Sequence, residues 1–177
     1  MGQQYDPYKH RRRSIRLKGW DYSTPAVYFV TICTHQRESI FNDLSFKVIA
    51  TNAWIHIPNL PCAEHVILDE WIVMPNHLHG IVVLVKRKGA GSSQPSVFGY
   101  PRSGSLSTII GTYKSMVTRR INNLRHTPGG KLWQRGYYER IVRNERELNA
   151  IRQYIRANPE RWKDDRENLD SIISRMR

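Results

Sequence analysis

Trp71-Ile72-Val73-Met74-Pro75-Asn76-His77-Leu78-His79-Gly80-Ile81-Val82-Val83-Leu84-Val85 is the stretch around which the rest of this chain is organised. It is apolar and β-branched on both sides of Pro75-Asn76, so it reads as two strands joined by a tight turn and paired antiparallel at the centre of a sheet. Side chains alternate across a strand, which puts His77 and His79 on one face and Leu78 on the other. Two imidazoles on one rigid strand face form a candidate metal site, since neutral imidazole is the commonest protein metal ligand. An isolated His-x-His also fits two half-exposed strand histidines, and what distinguishes the readings lies further along the chain.

Composition narrows the class. The 177 residues are 40% hydrophobic, enough for one sizeable core with appendages rather than for two domains. Lys and Arg number 28 against 15 Asp and Glu, a net charge of +13 that points to a polyanionic partner, nucleic acid ahead of a membrane surface. The longest uninterrupted apolar run, Ile81 to Val85, is far too short to span a bilayer, and no apolar signal core follows the basic N-terminus. A cytoplasmic protein is expected. Cys33 and Cys62 are the only cysteines, which excludes a disulfide framework and a four-cysteine zinc site and suggests two buried, reduced thiols.

Three segments stand apart from the core. Residues 1–24 form a basic arm in which Lys9, His10, Arg11, Arg12, Arg13, Arg16 and Lys18 follow one another without an acid. Trp20 and Tyr22 could stack on unpaired bases or pack on the domain edge. Residues 86–105 scatter Gly, Ser and Pro among Lys86, Arg87, Lys88 and Arg102 and read as a mobile basic loop within the domain. Residues 163–177 read as a charged helical tail on the surface. Between them, residues 25–162 are the expected folded domain.

Within that domain, Val27 to Thr34 reads as a buried strand. Phe46, Ile49, Ala50, Ala53, Trp54 and Ile57 recur at helical spacing before Pro58. Residues 65–74 and the histidine strand follow. A second helix from about Ser105 buries Leu106, Ile109, Ile110, Tyr113, Val117, Ile121 and Leu124, with Lys114, Arg119 and Arg120 exposed. Residues 133–142 suit a short strand on each side of a Gly136 bend. The order is that of an α+β, ferredoxin-like antiparallel sheet with helices on one face and His-x-His on a central strand. Asn144 can cap a last helix with Leu148, Ile151 and Ile155 as its core stripe, ending near Asn158-Pro159. On that helix Tyr154 and Asn158 stand one turn apart and project from one flank.

Met74-Pro75-Asn76-His77-Leu78-His79 resembles the His-hydrophobic-His motif of the HUH single-tyrosine transposases. Trp133-Gln134-Arg135-Gly136-Tyr137-Tyr138-Glu139 and Tyr154-Ile155-Arg156-Ala157-Asn158-Pro159 resemble the REP-associated branch of that family. The likeness runs from about Tyr28 to Trp162, and three ordered motifs are more specific than any one of them. It implies Tyr154 as catalytic nucleophile, and a divalent ion, Mg²⁺ or Mn²⁺, held by His77, His79 and Asn158. It implies cleavage of single-stranded DNA through a 5′-phosphotyrosine, followed by rejoining, in a cytoplasmic, nucleoid-associated protein. The implied partner is single-stranded DNA with hairpin-containing repeat ends, and monomer and homodimer stay equally open. Lys9, Arg11, Arg12, Arg13, Arg16, Lys18, Lys86, Arg87, Lys88 and Arg135 are the candidates for DNA contact. The residues themselves admit two other classes: an RRM-type nucleic-acid-binding module without catalysis, in which the histidines are idle, and a metal-dependent hydrolase acting through activated water.

Overall fold

Val27, Tyr28, Phe29, Val30, Thr31 and Ile32 give β1 (Ala26–Cys33) bulky, strand-forming side chains on both faces, so the strand needs cover from above and below. The computed structural model describes residues 20–61, 63–86 and 103–162, and in it β1 lies inside a four-stranded antiparallel sheet. α1 (Leu44–Ile55), β2 (Val66–Met74), β3 (His77–Leu84), α2 (Leu106–Arg125), β4 (Tyr138–Val142) and α3 (Glu145–Ala157) follow in turn. The sheet order is β2-β3-β1-β4, the ferredoxin-like arrangement. β3 is central, as its sequence implied. β2 is an edge strand rather than a central one, because β1 takes the other side of β3.

Side-chain oxygens close the N-terminus of each helix. Asp43 accepts from Ser45 and Phe46 N–H, Ser105 from Thr108 N–H, and Asn144 from Glu147 N–H. α1 and α2 pack on one face over Tyr28, Val30, Ile32, Leu78 and Val82. Helices on one face alone were expected, yet α3 covers the reverse face. There Leu148 and Ile155 meet Ile81 and the half-buried Val27, Phe29 and Ile72. The cause is in the strands: β1 and β3 are apolar on both sides, and a bare reverse face would leave that surface in water.

Two further expectations change. Residues 133–142 carry one strand and not two. Trp133 makes a single bridge to Thr34, flanked by the bonds His35 N–H to Leu132 O and Gln134 N–H to Cys33 O, and beyond it the Gln134 and Gly136 carbonyls accept from Lys114 Nζ at 2.7 and 2.9 Å, which ties the segment to α2 as well. Lys114 is accordingly half-buried, and Leu124, expected in the core, is 58% exposed in the last turn of α2. Cys33 is buried. Cys62, most of the 1–24 arm, all but the ends of the 86–105 loop, and the 163–177 tail lie outside the described residues. No helix among those described is long and apolar enough to cross a membrane.

Candidate functional site

β3 starts at His77, directly after the Pro75-Asn76 turn, and its alternation sends His77 and His79 to the face that α3 covers. Their ring centroids are 4.3 Å apart. Thr31 is the cross-strand partner of His79, and its Oγ1 lies 2.8 Å from His79 Nδ1. Asn76 Oδ1 lies 2.8 Å from His77 Nδ1. Both rings are thus held from behind through Nδ1, which turns each Nε2 forward. Phe29 stacks on His79 at 5.5 Å, and Trp162 lies against His77 at 5.8 Å.

α3 brings the third component. Its apolar stripe fixes the rotation of the helix about its axis, and two arginines fix its position along β2. Tyr154, at the edge of the stripe, then reaches His79: its hydroxyl is 3.2 Å from Nε2, and its ring meets Phe29 edge-on at 6.2 Å. Tyr154 remains 43% exposed, so one side of the phenol is wrapped by the site and the other is open to solvent. Asn158, one turn on at the C-cap of α3, is buried, and its Oδ1 has no hydrogen-bond partner among the described residues.

Burial, assisted by the positive charge of Arg37, pushes the His77 pKa from 6.5 down to about 3. His77 is therefore neutral throughout the physiological range, the form in which imidazole binds a metal. His77, His79 and Asn158 could hold a divalent cation, and the donor set fits one. Two neutral nitrogens and an amide oxygen leave coordination positions for phosphate oxygen and water, and they leave the ion's charge undiminished. The buried Asn158 oxygen is otherwise an expense, since a polar atom desolvated without a partner costs on the order of 1–3 kcal/mol. Among the described residues, no three of His, Cys, Asp and Glu come together in a metal-binding group.

The other sequence-derived residues fall elsewhere. Arg135 is exposed in the turn held by Lys114, and Lys86 is exposed just after β3. Lys9, Arg11, Arg12, Arg13, Arg16, Lys18, Arg87 and Lys88 lie outside the described residues. Trp20 donates to the Tyr28 hydroxyl and Tyr22 packs beside Tyr28, so both aromatics sit on the domain edge. Tyr137 turns to the helical face, with its hydroxyl 3.4 Å from Ser107 Oγ, whereas Tyr138 is 48% exposed and pairs with Thr31. Thr31, Asn76, Phe29 and Trp162 had not been singled out as parts of the site. The strand pairing of Thr31 with His79 was the missing signal, and it requires the β1·β3 register. Lys114, Arg119 and Lys131 also line a concavity beside α2, on the opposite side of the sheet from Tyr154, and its described lining carries no carboxylate.

Comparison with known proteins adds a family. The model of IS200-like transposases matches residues 96–158, the span from before α2 through Tyr154 and Asn158. An uncharacterized protein of Haemophilus influenzae is 32% identical over 184 residues, covering 96% of this chain and 100% of that one. The structure of a REP-associated tyrosine transposase bound to a REP hairpin superposes with a TM-score of 0.59 at 19% identity, over 83% of this chain and 73% of that one. At that identity the likeness shows a shared fold.

Proposed function

We propose, for a chain that belongs to the IS200-like transposase family, that it cuts and rejoins single-stranded DNA through a covalent bond to Tyr154. The observation that carries this reading is the 3.2 Å contact between the Tyr154 hydroxyl and His79 Nε2, which joins the nucleophile-bearing helix to the histidine strand. An idle pair of histidines in an RRM-type module would have no need of it.

The chemistry follows from what these groups can do. Tyr154 Oη attacks the scissile phosphorus, the P–O3′ bond breaks, and the 3′-oxygen leaves and takes up a proton as a free 3′-hydroxyl. The phenol, with an unperturbed pKa near ~10, gives up its proton during the attack. Reversal by another 3′-hydroxyl restores the phenol and joins strands without a nucleotide cofactor, because the phosphodiester's energy is kept in the phosphotyrosine bond. Mg²⁺ or Mn²⁺, when held by His77, His79 and Asn158, would supply charge neutralisation at a non-bridging phosphate oxygen. The Tyr154 hydroxyl lies at the same His79 nitrogen that would ligate an ion, so the phenol would give up this contact in the loaded site while staying beside it, with its exposed side open to an approaching strand. Phe29 and Trp162 pack behind the imidazoles and limit their movement.

The substrate we propose is single-stranded DNA bearing a hairpin at a repeat end. Its support is the shared fold with a protein whose structure holds a REP hairpin, together with the +13 charge. Phosphate contacts from the arm, from the 86–105 loop and from Arg135 would position the strand without reading its sequence. The test is incubation of labelled single-stranded repeat ends with the protein and Mn²⁺, followed by denaturation. A protein-linked label that is lost in Tyr154→Phe supports the reading, and cleavage without any linked label favours a hydrolase acting through water.

A further inference from the structure

Gln36 and Arg37 are consecutive non-glycine residues with left-handed backbone, at φ 52° and 59°. Such conformations cost of order 1 kcal/mol or more each, and they persist only where surrounding structure fixes them. What this turn presents is the Arg37 carbonyl, which accepts from Asn76 Nδ2 at 3.3 Å. A carbonyl can only accept. The Asn76 amide must therefore direct its nitrogen to Arg37 and its oxygen to His77 Nδ1, since the flipped amide would set two oxygens against each other. The backbone of Asn76 is held as well: its carbonyl accepts from the Thr34 N–H at 2.9 Å, and the one Thr34 hydroxyl proton is shared between the Asn76 and Glu38 carbonyls, at 2.9 and 2.8 Å.

With an oxygen 2.8 Å from it, His77 Nδ1 has to carry the proton. Nε2 is then the nitrogen with the lone pair, and it is buried. We propose that Asn76 is a positioning residue which sets the tautomer and ring orientation of His77, through an amide whose own direction is dictated by the strained Gln36-Arg37 turn. The Asn76 of the Pro75-Asn76 turn is thus more than a turn residue: it couples the turn that follows β1 to the first histidine. The second histidine has a looser arrangement. Thr31 Oγ1 and the Tyr154 hydroxyl can each donate or accept, so neither contact fixes the tautomer of His79.

The value of this relay to function rests on the proposed reading of His77 as a metal ligand, but the relay itself is tested without metal. Nitrogen-15 correlation spectra of histidine-labelled protein distinguish the two neutral tautomers. The wild type should show His77 protonated at Nδ1, and protonation at Nε2 would overturn the inference. Asn76→Leu keeps the size and removes both hydrogen-bonding groups. It should mix the tautomers and weaken Mn²⁺ binding by about 10- to 100-fold in titration calorimetry, the range seen when a ligand's supporting partner is removed. An unchanged tautomer and affinity in that variant would also overturn it. Should Asn76→Leu fail to fold, Asn76→Asp retains an acceptor and should keep the Nδ1 proton, and an Nε2 proton there counts against the relay. Correct tautomers in a wild type that binds no Mn²⁺ support the relay while removing the metal from the proposed function.

Discussion

Arg152 on α3 holds Asp69 on β2 with two nitrogens, Nη2 to Oδ2 at 2.6 Å and Nε to Oδ1 at 3.0 Å, across 83 residues of sequence. A bulge between Leu68 and Trp71 adds a residue to β2, which lets the adjacent Asp69 and Glu70 both reach α3. Arg152 and Arg156, at i and i+4, meet them as a matched pair. The Arg152 hydrogen bonds hold the Asp69 carboxyl below the usual range. Edge ion pairs of this kind contribute little to global stability, so their consequence is the placement of the helix that carries Tyr154. Asp69→Asn should speed hydrogen exchange of the α3 amides while leaving those of α2 unchanged. Equal protection in variant and wild type would show that the apolar stripe alone places α3.

The buried His77 predicts an acid-sensitive fold. Its folded pKa of about 3 lies below the 6.5 of the unfolded chain, so between these values the unfolded state binds the extra proton. The stabilising contribution is fully present above pH 6.5 and is lost as pH falls towards 3. Stability should therefore decline by up to about 1.4 kcal/mol per pH unit within that window. Denaturant titrations of wild type and His77→Gln at pH 7 and pH 5 check this. The difference between the two proteins should narrow at the lower pH, and a constant difference would contradict it.

His77→Ala and His79→Ala should each remove divalent-dependent cleavage, by at least about 100-fold, while single-strand affinity changes little, because phosphate contacts come from other residues. Nicking assays beside filter binding separate the two effects. Parallel loss of both would point to a collapsed site rather than a missing ligand.

Much of this arrangement could be read from residues alone, and the part that could not has physical causes. Strand alternation was enough to put His77 and His79 on one face, and the 3.6-residue period was enough to draw α3 with its Asn144 cap. Which face α3 would cover was not legible, because strands that are apolar on both sides carry no label for it. The bulge at Asp69 and Glu70 is a register shift, which has no local composition signal. The short spacing at Gly80 was similarly silent: a methyl group there would overlap the buried Trp54 indole, so the glycine is a packing requirement of α1 on β3. Residues 133–137 resembled strand in composition, but they keep only the bridge at Trp133, and the Gln134 and Gly136 carbonyls go to a tertiary contact, Lys114.

The acid-free run from Lys9 to Lys18 predicts a salt-dependent contribution to binding. Deleting residues 1–18 should lower the salt slope of single-strand binding by about 0.7 for every phosphate that the arm neutralises. Affinity measured across a range of salt concentrations gives this slope. An unchanged value would mean that the arm touches no phosphate.

The claim on which the account depends is that Tyr154, alone among the nine tyrosines, bonds to DNA. Tyr138 shares the His79 face of the sheet and Tyr137 the opposite one, but it is Tyr154 whose hydroxyl meets an imidazole nitrogen. Peptide mapping by mass spectrometry of the adduct formed by the wild-type protein with a single-stranded repeat end and Mn²⁺ tests it most directly. The predicted result is a phosphodinucleotide or longer remnant on the peptide containing Tyr154 and on no other. A remnant on the Tyr137-Tyr138 peptide, or cleaved DNA with no modified peptide, would contradict the account.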